Sequence, residues 1–212
     1  MPIWGRRCGS AGCGGLRSSH GGPAPSARRR PSKAAYSRTR GGRPLEGGLW
    51  MDRVQVAQDN LVFCAGHFMI FPQGSEPLHG HNYRVSVALE GELRDDMVMD
   101  FVALKRLVKA LVEELDHRVL LPAEHPRLRL RIEEDQVEAE VDRKRYVFPL
   151  EDVRILPIPN TSAEWLARYL AGRLRARLPE GLRLHALEVE VEESFGQRAI
   201  HREVLHAAAA AS

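Results

Sequence analysis

His79 and His81, separated by Gly80, open an alternating segment that reads as a β-strand. Residues i and i+2 of a strand face the same side, so the two imidazoles can reach one metal ion. Tyr83, Val85, Val87 and Leu89 share their odd numbering and form the apolar side, which puts both histidines at the end of the face to be buried. On the preceding strand-like segment His67 is in line with Leu61, Phe63 and Ala65, and hairpin pairing would bring a third imidazole alongside. Three histidines leave the fourth tetrahedral position of zinc open, as in catalytic rather than structural sites. The competing reading is a group of solvated or hydrogen-bonded histidines that bind nothing.

Two further places carry acids in unfavourable surroundings. Leu115-Asp116-His117 closes an amphipathic segment, and an Asp at a helix C-terminus opposes the macrodipole by up to about 1 kcal/mol, whereas a protonated His is favoured there. One explanation is that Asp116 orients and charges His117 for proton transfer; the other is a solvated helix end without a role. In 184–193, Leu187, Val189 and Val191 alternate with Glu188, Glu190 and Glu192, so Glu193 has the parity of the apolar face. A carboxylate on that face needs donors. A heterocycle with a ring N–H beside an exocyclic amino group supplies two in parallel, as guanidinium does. Alternatively the strand has ended and Glu193 lies in a turn with Gly196.

Positioning these residues takes two strands, 54–70 and 79–90, joined through Gly74 and Pro77 as an antiparallel hairpin. Asp100 reads as an N-cap, and Phe101, Leu104, Val108, Leu111, Val112 and Leu115 recur at three- and four-residue spacing on a helix of about four turns. A polar, strand-prone stretch from Leu128 to Phe148 centres on Glu134-Asp135-Gln136 and predicts an added hairpin within 126–150. Thr161 and Glu164 have capping-box spacing at the start of a second helix, which carries Leu166, Tyr169, Leu170 and Leu174 and stops by Pro179. Strands over 184–193 and 197–204 follow. This order predicts an α+β fold, an antiparallel β-sheet with two helices packed on one face.

The 212 residues, 43% of them hydrophobic, describe one ordinary soluble domain plus a spare segment. Met1 to Trp50 holds ten Arg or Lys, one acid (Glu46) and 11 of the 18 glycines, so it supplies +9 and leaves −6 for Met51 to Ser212. With no apolar periodicity it is expected to be a disordered basic extension. A transit peptide, a nucleic-acid-binding arm and an upstream extension outside the working protein all fit; Met51, standing just before the first strand, favours the last. The acidic remainder counts against nucleic acid and for a small-molecule partner. No run approaches the roughly 18 apolar residues of a membrane helix, and the odd set Cys8, Cys13 and Cys64 predicts a reducing, cytoplasmic setting.

Six segments, F-C-A-G-H, L-H-G-H-N-Y, D-F-x-x-L-K, L-D-H, N-T-S-A-E and E-E-S-x-G, occur in this order between Val54 and Glu203. Together they resemble the 6-pyruvoyl-tetrahydropterin synthase family, which includes the 6-carboxytetrahydropterin synthases of the queuosine pathway. The resemblance implies the tunnelling fold (T-fold), in which subunits join their sheets into an oligomeric barrel, commonly trimers stacked into hexamers, with active sites between subunits. It implies zinc held by His67, His79 and His81, proton transfer by Asp116 and His117, and a pterin ring anchored by Glu193. Ser162 falls where the family usually has a Thr near the substrate. Glu164 also matches a family position, but its capping-box spacing is a sufficient structural reason for it.

The departures bear on the reaction. The family's usual catalytic Cys, four residues before the first His of H-G-H, is here Ser75, whose hydroxyl is a far poorer base than a thiolate. Glu76 stands three residues before His79, giving E-x-x-H-G-H, which resembles the branch where a glutamate replaces the cysteine and dihydroneopterin is cleaved to 6-hydroxymethyl-dihydropterin for folate synthesis. Cys64 has the opposite strand parity from His67 and is not expected to substitute. The segment from His117 to Asn160 is long for the family, and Leu121 replaces a frequent Asn. The expected function is a zinc-dependent lyase acting on dihydroneopterin or its phosphates, with Glu76 as general base. The alternatives are 6-pyruvoyl- or 6-carboxytetrahydropterin synthesis, or pterin binding without turnover.

Overall fold

The structure is a computed structural model that describes residues 51–205. The basic Met1 to Trp50 segment and the last seven residues lie outside the described residues. Two long strands, β1 (Asp52–His67) and β4 (His79–Gly91), pair antiparallel with Phe63 opposite Tyr83, Ala65 opposite His81 and His67 opposite His79. Between them β2 (Ile70–Phe71) and β3 (Gly74–Ser75) form a small hairpin. The ladder of β1 breaks between Ala57 and Val62. That irregularity switches the inward parity: Val56 is buried before it, Leu61, Phe63, Ala65 and His67 after it. Without the switch His67 would point to the opposite face.

Helix α1 (Phe101–Glu113) is capped as expected, the Asp100 carboxylate accepting the Ala103 N–H at 2.7 Å. Helix α2 (Ala163–Arg175) departs from expectation at its start. Its N-cap is Ser162, whose hydroxyl accepts the Trp165 N–H, so Thr161 lies outside the helix and no Thr161–Glu164 capping box forms. Both helices lie on one face of the sheet. Leu104, Val108, Leu111 and Val112 from α1, with Leu166, Leu170 and Leu174 from α2, share a core with Val85, Val87 and Leu89 of β4. Each such buried side chain stabilises the fold by roughly 1.5–3 kcal/mol.

Strands β5 (Arg118–Pro122), β9 (Val153–Leu156), β10 (Leu184–Ser194) and β11 (Gln197–Val204) complete a six-stranded sheet in the order β11-β10-β4-β1-β5-β9. It is mixed, not wholly antiparallel as the sequence reading expected. β5 runs parallel to β1, and β9 parallel to β5. Parallel neighbours need a crossover instead of a tight turn, and the stretch between β5 and β9 supplies one. That stretch makes a three-stranded antiparallel sheet where the sequence predicted a two-stranded hairpin: β6 (Leu128–Glu133), β7 (Gln136–Val141) and β8 (Lys144–Pro149). The second turn, at Asp142-Arg143, has no glycine to announce it; Asp142 itself adopts φ 55°. Val137, Ala139 and Val141 of this sheet pack on Phe68, Ile70, Leu121 and Val153, forming a second core next to the β1–β2 corner. Among the described residues no helix is long and apolar enough to cross a membrane.

Candidate active site

The antiparallel register brings His67, His79 and His81 together, their candidate ligand atoms all within 4.8 Å of one another. Two of the three rings have a fixed tautomer. His67 Nδ1 lies 3.1 Å from the Thr161 carbonyl and His79 Nδ1 lies 2.9 Å from the Pro77 carbonyl. A carbonyl only accepts, so both Nδ1 atoms carry the proton and both Nε2 atoms present a lone pair. His67 Nε2 is buried and has no hydrogen-bond partner among the described residues. Burial pushes the His67 pKa down, against the pull of Glu193, and so keeps the ring in the neutral form a metal needs. An orphaned, buried imidazole lone pair beside two more imidazoles fits a zinc ion held by three histidines.

Thr161 is the residue that sequence reasoning missed. It is fully buried, its carbonyl and hydroxyl both face His67 Nδ1, and its hydroxyl donates to the Phe68 carbonyl at 3.0 Å. The N-T-S-A-E segment holds it, but 94 residues separate it from His67 and local spacing gives no sign of the contact.

Glu193 stays on the inward face of β10, where the ladder to β11 shifts register. Its carboxylate accepts the Tyr83 hydroxyl at 3.1 Å and lies 3.4 Å from His67 Nε2 and 3.9 Å from His81 Nε2. Neither imidazole contact has hydrogen-bond geometry, so His67 remains unsatisfied despite this neighbour. Burial, with the Glu193 charge adding to it, pushes the Tyr83 phenol far above its ordinary pKa and keeps it a donor. Glu193 is thus fixed through one oxygen, at the edge of the histidine cluster.

Glu76, just beyond β3, folds back on the β1–β2 corner. Its backbone N–H donates to the Met69 carbonyl at 2.9 Å, and its carboxylate accepts the Met69 N–H at 3.2 Å. Glu76, His67, His79, Ser162, Glu164 and Glu193 line one cavity of about 430 Å³. Ser75 does not line it.

Asp116 and His117 lie in the turn after α1, which ends at Glu113, rather than closing the helix itself. Strand β1 supplies what the helix end lacks. The Cys64 N–H donates to Asp116 Oδ1 and the His117 N–H to the Cys64 carbonyl, both at 2.7 Å, while His117 Nδ1 lies 2.9 Å from Asp116 Oδ2. Partial desolvation works to raise the Asp116 pKa, but the Cys64 and His117 contacts outweigh it and hold the carboxyl below its ordinary value. His117 takes φ 56°, a strained setting for a non-glycine residue, and its side chain is 80% exposed. With Cys64, His81, Lys109 and Glu193, the pair lines a larger cavity of about 860 Å³. Within one chain, therefore, Glu76 and His117 line different cavities that share Glu193.

The family model for 6-pyruvoyl tetrahydropterin synthase matches residues 58–204. A putative 6-carboxy-5,6,7,8-tetrahydropterin synthase from Methanocaldococcus jannaschii is 36% identical over 149 residues, covering 68% of this chain and 91% of that one. The dihydroneopterin monophosphate aldolase of Pyrococcus furiosus is 51% identical over 58 residues, 27% of this chain and 50% of that one. Among solved structures, a Plasmodium vivax 6-pyruvoyltetrahydropterin synthase, in a glutamate-to-alanine form described as a catalytic residue mutant, superposes with a TM-score of 0.71. It is 28% identical, over 74% of this chain and 99% of that one. Matched over residues 58–204, with two helices on one face of the sheet, the chain belongs to the 6-pyruvoyl tetrahydropterin synthase family.

Proposed function

We propose that this protein is a zinc-dependent lyase that cleaves the side chain of 7,8-dihydroneopterin or its phosphates to give 6-hydroxymethyl-7,8-dihydropterin, as a cytoplasmic homo-oligomer. The observation that carries the reading is the shared cavity of Glu76, His67 and His79, from which Ser75, at the position of the family's usual cysteine, is absent. Two likenesses support it: the Pyrococcus furiosus relative is a dihydroneopterin monophosphate aldolase, and the Plasmodium vivax relative has a glutamate described as its catalytic residue.

Zinc held by His67, His79 and His81 would supply Lewis acidity toward the side-chain hydroxyls of the pterin. Glu76 acts as general base and takes the proton of the hydroxyl whose carbon becomes an aldehyde. The adjacent C–C bond breaks, its electron pair moves into the ring imine, and the aldehyde fragment leaves. His117, oriented by Asp116, returns a proton to the carbon that stays on the ring, so the reaction is redox-neutral. Glu193 holds the pterin edge and Ser162 lies beside the substrate, which fixes the scissile bond relative to Glu76.

A second reading, 6-carboxytetrahydropterin synthesis, draws on the Methanocaldococcus jannaschii relative, which is matched over nearly its whole length. Mass spectrometry of products from zinc-loaded full-length protein separates the two, given dihydroneopterin, its monophosphate and its triphosphate in turn. The expected product is 6-hydroxymethyl-7,8-dihydropterin, and Glu76→Gln is expected to slow its formation by about 100-fold or more with zinc content unchanged. A 6-carboxy or 6-pyruvoyl product, or full turnover by Glu76→Gln, would remove Glu76 from the base role. Tight pterin binding with no product from any of the three would leave a binding protein.

A further inference from the structure

The three-stranded sheet between β5 and β9 does more than fill a crossover. The tip of its β7–β8 hairpin lies over the segment that carries Glu76. The Lys144 ammonium donates to the Ser75 carbonyl at 2.6 Å and to the Glu76 carbonyl at 2.7 Å. The Asp142 carboxylate accepts the Ser75 N–H at 2.9 Å. Arg127 joins the tip to the same loop, donating to the Phe71 carbonyl at 2.5 Å and pairing with Asp142. Lys144 is partly buried and has no carboxylate partner among the described residues, so its donors serve the loop backbone. The loop's own sheet is one pair of two-residue strands, too short to hold a backbone segment by itself.

We propose that this hairpin tip is a clamp that sets the position of Glu76, with Lys144 as its principal positioning residue; the proposal rests on Glu76 being the general base. Charge-assisted bonds to two successive carbonyls fix the peptide on either side of the Glu76 Cα, which leaves only the side-chain torsions to place the carboxylate. The tip's anchorage comes from the second core, where Val141, immediately before the turn, is buried against the neighbouring layer. A base displaced by about 1 Å loses up to two orders of magnitude in rate, so a clamp of this kind acts on kcat and leaves substrate affinity alone.

The test compares Lys144→Met, Lys144→Arg and Glu76→Gln, alone and with Lys144→Met and Glu76→Gln combined, in the zinc-loaded full chain. Lys144→Met is expected to lower kcat about 10- to 100-fold with KM within about twofold, and Lys144→Arg to recover most of the loss. In the Glu76→Gln background the same change is expected to cost nothing further, because the two act through one group. Hydrogen exchange at the Ser75 and Glu76 amides is expected to quicken, while the visible spectrum of the cobalt-substituted histidine site stays as it was. Unchanged kcat in Lys144→Met beside a crippled Glu76→Gln would overturn the clamp, as would an equal further loss in the double variant. Full turnover by Glu76→Gln would instead defeat the base assignment, and the amide exchange would still report whether Lys144 holds the loop. Should Lys144→Met fail to fold, Asp142→Ala removes the Ser75 tether from the same tip and is judged by the same readouts.

Discussion

Thr161 and His67 show how a single contact can govern a site. The Thr161 hydroxyl donates to the Phe68 carbonyl, and its own carbonyl accepts the His67 Nδ1–H, which leaves the Nε2 lone pair facing the other two imidazoles. Thr161→Val keeps the volume and the carbonyl but removes the hydroxyl, stranding a buried acceptor at Phe68. The expected cost is about 1–3 kcal/mol in urea unfolding. Because the ring also loses its 3.3 Å contact to the hydroxyl, zinc affinity measured by chelator competition is expected to fall about 10-fold. Wild-type values in both measurements would mean that Thr161 merely fills space. The three histidines themselves were legible from parity, because strand alternation is rigid once the last bulge is passed. Thr161 was not, since its partner comes from a strand at the far end of the sequence.

Across the elements of the sheet, the face opposite the helices carries charge in cross-strand pairs. Glu90 on β4 is bound by Arg53 from β1 at 3.0 Å and by Arg202 from β11 at 2.5 Å, and Arg53 also reaches Glu188 on β10 at 2.6 Å. The Arg202 hydrogen bond, opposed by partial burial and aided by Arg53, brings the Glu90 pKa down from 4.5 to about 2. A carboxyl with a depressed folded-state pKa resists protonation more in the fold than in the unfolded chain. Its stabilising contribution is therefore complete above about pH 4.5 and is lost as the pH falls toward 2. Urea titrations at pH 7, 4.5 and 3 are expected to show this loss, and Arg202→Ala to flatten it; parallel curves for the two proteins would argue against the pair. This alternation of Glu188, Glu190 and Glu192 was plain in the sequence, as were α1 and its Asp100 cap, because both are local patterns. The short parallel strands β5 and β9 were not. Five- and four-residue segments have too few alternations to declare themselves, and only the pairing of β5 with β1 and of β9 with β5 makes them strands. The start of α2 misled for a related reason: Thr161 and Ser162 are both good caps, and burial of Thr161 against His67 decides between them.

At the scale of the whole molecule, the separation of Glu76 from His117 has to be reconciled with the proposed reaction, which uses both. Glu76 and His117 line two cavities that meet only at Glu193, and the His117 side chain is 80% exposed in the single chain. A strained backbone at His117, tied to β1 by two short hydrogen bonds, is an expensive way to hold a residue that faces only water. The arrangement makes sense if the protein is the homo-oligomer proposed above and His117 of one subunit completes the cavity that Glu76 of another opens. Subunit mixing tests this without a structure of the assembly. Glu76→Gln and His117→Ala are each expected to be nearly inactive alone. Co-expressed in equal amounts, they form sites in which Glu76 and His117 come from different chains. Half of the chains at each position are intact, so about a quarter of the sites are wild type and about a quarter of the wild-type rate returns. If both residues served the same site from the same chain, every site would keep one defect, and the mixture would be as inactive as its parents.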